Sequence, residues 1–152
     1  MAQHHSLEAA CDPPHEAEAG WPPAPVRLAV PEEAGATQRL FHHHLYELGR
    51  GVRPLFLMTL ATRELPPLLA RLERAGIDHF VQQVSPAKAN LFFGRDAFVA
   101  VARAFVTRPL NALTAEEDFM LGTMLGYDRE QQCRRYLTRS GRGLDRPALA
   151  AE

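Results

Sequence analysis

The segment Phe41-His42-His43-His44-Leu45-Tyr46-Glu47 puts three consecutive histidines, a phenol and a carboxylate side by side. Its secondary structure decides which of these groups share a face. Residues 40–48 read as a strand, because the segment is short and ends at Gly49-Arg50-Gly51. Alternation then places His42 and His44 on one face with Tyr46, and His43 on the other with Phe41 and Leu45.

Towards the N-terminus the pattern dissolves. Residues 1–37 hold six prolines among many Ala and Glu, with no sustained period, and read as a disordered leader. Within it, Trp21-Pro22-Pro23-Ala24-Pro25-Val26 is a short motif of polyproline type, suited to docking. Val26 to Val30 could add a short edge strand. The leader carries one Arg against six acids, whereas residues 38–139 carry fourteen Lys and Arg against ten acids. That mild positive excess is far from the footprint of a strong nucleic-acid binder, so no nucleic acid is expected.

Towards the C-terminus the elements are well punctuated. Leu55 to Leu60 is an apolar run read as a buried strand. Leu65, Leu68, Leu69 and Leu72 recur at helical spacing, which predicts a helix over 64–75 with Pro66 and Pro67 in its first turn and Gly76 beyond its end. Ile77 to Val84 and Asn90 to Phe93 read as strands joined by the turn Ser85-Pro86-Ala87-Lys88. A helix over 96–106 shows Phe98, Val101, Ala102 and Phe105 on one face and stops before Pro109. Thr114-Ala115-Glu116-Glu117 is a capping box that opens the next helix. Asp128 caps a last helix, whose apolar face is formed by Cys133, Tyr136 and Leu137. The tail from 140 to 152 has no period.

This order predicts one α+β domain over 38–139. The expected core is a small, mostly antiparallel sheet with the 64–75 and 96–106 helices on one face, on a ferredoxin-like plan. Two C-terminal helices would close one end. The small sheet has edges to cover, so a homodimer is one expectation.

Three blocks of sequence point to a family. They are Phe41 to Glu47, Leu91-Phe92-Phe93-Gly94, and Glu116 to Asp128, which continues into Gln132-Cys133-Arg134-Arg135-Tyr136-Leu137. Over about residues 38–139 the chain resembles a small bacterial family catalogued as domain of unknown function 2023. The resemblance implies a compact α+β domain with no settled activity. It also suggests flavodoxin-like neighbours and a setting of tetrapyrrole or iron metabolism. Tyr127 becomes a candidate site residue as part of the last block.

The chemistry legible from the residues is limited. A His-x-His pair on a strand can give two imidazole nitrogens to a metal, or one axial ligand to a haem. His79, on another strand, is the third ligand to expect, with Glu47 and Cys133 behind it. Against this, histidines on a sheet often fill half-buried positions with one nitrogen bonded to backbone. His43 or His44 as general base of a small enzyme is a further alternative. Cys133 beside Arg134 and Arg135 is a candidate activated thiol, although a buried structural thiol is the simpler reading. Six arginines (Arg50, Arg53, Arg134, Arg135, Arg139 and Arg142) could converge on an anion. The glycines around Arg50 lack the rest of a dinucleotide fingerprint.

No nucleophile triad, metal signature or phosphate loop assembles from these parts. The leading expectation is therefore a binding or accessory module, and the resemblance implies a redox or metal-handling partner for it, flavodoxin-like in type. Two cysteines, no apolar stretch long enough for a bilayer and no secretory leader suggest a bacterial cytoplasmic protein, with no membrane contact. The residues leave any cofactor unidentified, with a metal or haem on His42 and His44 as the alternative to a binding module.

Overall fold

The computed structural model describes residues 35–143. The leader motif at Trp21, the 26–30 segment and Cys11 lie outside the described residues, as do residues 144–152. Five α-helices and three strands follow in the order α1 (Ala36–Gly49), β1 (Leu55–Ala61), α2 (Leu65–Ala75), β2 (Asp78–Ser85), β3 (Lys88–Gly94), α3 (Asp96–Phe105), α4 (Ala115–Met124) and α5 (Arg129–Arg139). Short 3₁₀ turns precede α2 and α4.

The first element corrects the strand expected at 40–48. Ala36–Gly49 is a helix of 14 residues. Its start lies upstream of Leu40, which removes the argument from shortness. The buried residues are Phe41, Leu45 and Leu48, spaced four and three apart, as on one face of a helix. A strand would bury His43 with Phe41 and Leu45, yet the His43 side chain is 63% exposed.

The other elements follow their sequence signals closely. In α2, Leu65, Leu68 and Leu72 are buried and the two prolines occupy the first turn. Gly76 closes the helix at φ 63°, a left-handed conformation that a side chain would strain. The β2–β3 turn is held by Ser85, whose Oγ accepts from the N–H groups of Ala87 and Lys88. At α4 both arms of the capping box form: the Thr114 hydroxyl accepts from the Glu117 N–H at 3.1 Å, and the Glu117 carboxylate accepts from the Thr114 N–H at 2.8 Å. Asp128 accepts from the Gln131 N–H at 2.8 Å to start α5.

The sheet is antiparallel with order β1-β3-β2, so β3 is central and β1 and β2 are edges. With α2 joining the two edges, this is a split βαβ arrangement. The ferredoxin-like plan extends no further, because no fourth strand occurs among the described residues. Side chains leave the sheet on both faces into two apolar layers. One layer joins Phe56, Met58, Leu60, Ala89, Leu91 and Phe93 to α1 and α2. The other joins Leu55 and Phe92 to Val99 and Ala102 of α3 and to Leu121 and Leu125 around α4.

Two helices do share a face, but they are α1 and α2. The 96–106 helix expected beside α2 covers the opposite face. It does so with Val99 and Ala102, while Val101 is exposed. Its rotation is set by the need to cover Phe80 and Phe92, whose rings stack at 4.5 Å.

Phe93 is fully buried and packs edge-on against Phe41 at 5.4 Å and stacked on Phe56 at 5.4 Å. Phe93→Ala is expected to cost about 3–5 kcal/mol. In urea unfolding the midpoint should fall with the slope unchanged.

Candidate functional site

Two places gather polar side chains. The first is the C-terminal half of α1. Successive residues on a helix turn by roughly 100°, so the three histidines point in three directions. His42 is half-buried, its ring 6.0 Å from that of Phe41, and its Nδ1 is buried without a hydrogen-bond partner. His43 faces solvent, its Nε2 3.8 Å from Glu47 Oε2. His44 lies inward on Phe56, ring centroids 4.9 Å apart.

Glu47 is the hub. One of its oxygens, Oε2, meets Arg53 Nη2 at 2.6 Å and His44 Nδ1 at 3.2 Å. A carboxylate only accepts, so the tautomer this geometry favours carries its proton on Nδ1 and donates it to Glu47. The Arg53 guanidinium also lies over Phe56, 4.6 Å from the ring centre. The cluster therefore ties the end of α1 to the loop before β1 and to the sheet. Neither Arg53 nor Phe56 is marked by the sequence as a partner of the histidines, since both are distant in the chain and ordinary in type.

Electrostatics follow the geometry. Burial lowers the His44 pKa, and the hydrogen bond His44 donates to Glu47 opposes this only in part. Burial raises the Glu47 carboxyl, but the hydrogen bonds from Arg53 and His44 outweigh it and the net shift is downward.

The remaining sequence candidates are dispersed. His79 Nδ1 donates to the Ile77 carbonyl at 2.9 Å, the backbone-bonded arrangement expected of a sheet histidine. Tyr46 is exposed, with Arg50 6.0 Å from its ring centre. Cys133 is an exposed free thiol, which corrects its expected place on the apolar face of α5; Gln132 is buried there instead. Among the described residues no three His, Cys, Asp or Glu side chains form a group that could hold a metal ion. The pairing of His42 with His44 on one face fails with the strand that required it.

The six arginines do not converge. Arg53 is taken by Glu47 and Arg134 by Glu130. Arg135 and Arg139 both hold Asp118, and Arg142 donates to the Tyr136 hydroxyl. The hydrogen bonds of Arg135, with the nearby charge of Arg139, keep the Asp118 carboxyl below the usual carboxylate range.

The second place is a cleft of about 400 Å³ between the sheet and the α4–α5 hairpin. Leu57 of β1, Leu110, Leu113, Leu121 and Leu125 give it apolar walls. Tyr127, 48% exposed, stands at its edge. Asp118 and Arg135 border it as a pair joined by two hydrogen bonds, at 2.5 and 3.0 Å. Gln132 reaches in from α5 above Gly122. The family resemblance marked Tyr127 here as a candidate, while Gln132, in the same block, carried no such role, because its type is usually exposed.

The model of the family described as protein of unknown function (DUF2023) matches residues 39–139, so the chain belongs to that family. No curated protein matches it. No helix among the described residues is long and apolar enough to cross a membrane.

The α1 cluster generates a prediction about acid stability. His44 has its pKa lowered on folding, so the folded state binds its proton less readily than the unfolded chain. Its contribution is complete above the ordinary histidine pKa of 6.5 and is lost as pH falls below it towards the folded value. Glu47, also lowered, loses its contribution later, as pH falls below 4.5 and through the folded value. Denaturation midpoints should thus decline from pH 7.5 to pH 5, and His44→Gln should flatten that decline. An unchanged slope in the variant would remove His44 as its source.

Proposed function

We propose that the chain is a non-enzymatic binding module whose contact site is the cleft between the sheet and the α4–α5 hairpin. The observation that carries this reading is the cleft itself: apolar walls, an exposed tyrosine at the edge, and a volume of about 400 Å³. Binding sites are commonly concave, mostly apolar and furnished with a few polar groups, in this range of size. The ionisable clusters support the same reading. Glu47 and Asp118 each face two or more cationic or imidazole groups at short range, an arrangement that fixes structure rather than moving protons.

The partner proposed is a redox or metal-handling protein of flavodoxin-like type, in a bacterial cytoplasm. The two cysteines, of which Cys133 is a free thiol, fit a reducing compartment. A homodimer formed through the open edge of β1 or β2 is compatible with the same site, because the cleft opens beside α4 and α5.

Titration of the full chain with a flavodoxin-like protein is expected to shift backbone resonances of α4 and α5. Tyr127→Ala should weaken that binding about fivefold or more, as loss of an aromatic anchor does, by about 1 kcal/mol or more. Shifts confined to other elements, or no binding, would contradict the reading.

A further inference from the structure

The backbone of the sheet leaves one edge open. Two bonds flank the β1–β3 ladder: the Arg95 N–H donates to the Pro54 carbonyl at 2.8 Å, and the Thr62 N–H donates to the Ala87 carbonyl at 3.0 Å. In an antiparallel ladder the backbone groups of alternate residues turn towards the partner strand. The even-numbered residues of β1 therefore face β3, and Leu55, Leu57, Thr59 and Ala61 turn their N–H and C=O groups outwards. The Ala61 N–H has the same phase, since it donates to the Glu64 carboxylate at 3.2 Å. The outward groups of Leu57 and Thr59 have no such partner among the described residues.

The opposite edge is blunted. By the same alternation His79, Val81 and Gln83 of β2 face away from β3. The His79 carbonyl accepts from Arg103 Nη2 at 2.8 Å, and the pairing is irregular between Gln83 and Ser85. Covering an edge and bulging it are both devices against a further strand. Between Leu55 and Ala61, β1 has an unbroken register and no charged residue.

The β1 edge borders the cleft, because Leu57 forms part of the cleft wall. The loop after α4 reaches the approach to this strand, where Gly126 lies against the Arg53 side chain. The edge thus opens into a slot, which suits a single extended segment rather than a second folded sheet. The polar rim of the slot is cationic. Arg135 and Arg139 share the one carboxylate of Asp118, which leaves one positive charge in surplus. Nearby Arg108 is balanced by Glu117.

We propose that the partner enters the cleft as an extended segment that adds a fourth strand beside β1, paired with the backbone of Leu57 and Thr59 and bearing an apolar and an acidic side chain on its cleft face. This rests on the reading of the cleft as a contact site and states the form of the partner that it takes. Strand addition draws affinity from main-chain hydrogen bonds and specificity from alternate side chains. A residue opposite Leu57 sends its side chain to the same face as Leu57, against the apolar walls. A carboxylate two residues along shares that face and complements the surplus charge.

The probe is the peptide acetyl-Thr-Val-Thr-Leu-Thr-Glu-Thr-amide, whose Val, Leu and Glu share one face when extended. It is titrated into the full chain while backbone amide resonances and their hydrogen exchange are followed. The Leu57 and Thr59 amides, open in the free chain, are expected to shift and to become protected. Thr59→Pro removes an outward donor and leaves the bonds to β3 in place, so it should weaken binding about fivefold or more. Thr59→Val loses the same hydroxyl bond to Asn90 but keeps the N–H, and should bind like the native chain. A peptide with Gln in place of Glu should bind about two- to fivefold more weakly, and Arg135→Gln should remove that difference. Peptide binding that leaves the Leu57 and Thr59 amides unprotected, or no peptide binding, would overturn strand addition. Titration with the protein partner would then report separately on the broader reading of the cleft. Self-association of the chain that Thr59→Pro abolishes would assign the edge to a second copy and overturn the proposal too.

Discussion

Phe92 and Phe93 are neighbours on the central strand, so their side chains leave it in opposite directions. Phe93 enters the layer built with α1 and α2, and Phe92 enters the layer built with α3 and α4. From Ala89 to Gly94 every residue of β3 is buried. The strand is thus the shared wall of two cores, and each helix is placed by what it must cover. Full burial of a phenylalanine contributes about 1.5–3 kcal/mol. The two rings also fix register, since Phe56 and His79 are paired with Phe93, and Leu57 and Phe80 with Phe92.

Both polar places are consequences of that layering. On one face α1 must lie across Phe56 and Phe93, which turns Phe41, Leu45 and Leu48 inward. The histidines then take whatever directions the helix leaves. His44 falls on Phe56, where Glu47 and Arg53 secure it, and His43 falls into solvent. On the other face α3 covers β2 and β3, and the α4–α5 hairpin spans the remaining surface near β1. The cleft lies where that coverage is incomplete, with Leu57 at its wall.

The parts legible in the sequence were those with local physical causes. The leucine period of α2, the Ser85–Lys88 turn, the Thr114 capping box and the Asp128 cap each act within a few residues, and each forms. The strand expected at 40–48 failed: Phe41, Leu45 and Leu48 carry helical spacing inside that segment, but its shortness is only apparent, because the helix starts upstream at Ala36. The burial of Gln132 is not legible locally, because it depends on Gly122, ten residues away on another helix. Arg53 stood out only as one of six arginines that could meet an anion, because its link to Glu47 depends on how the loop after α1 returns. The exposed positions of Val101 and Cys133 reflect rotations of α3 set by the sheet and of α5 set by α4, which no helix sequence encodes alone. The family resemblance over residues 38–139 was legible and is matched over residues 39–139, but it carries no chemistry with it.

Native-state hydrogen exchange tests the central claim most directly, because it ranks each backbone amide by the opening that exposes it. If β3 is the wall of both cores, the amides of Leu91, Phe92 and Phe93 exchange last, at the free energy of global unfolding. Those of the edge strand β2 that face away from β3 exchange earlier. Protection of α1 or α5 outlasting that of β3 would contradict the account.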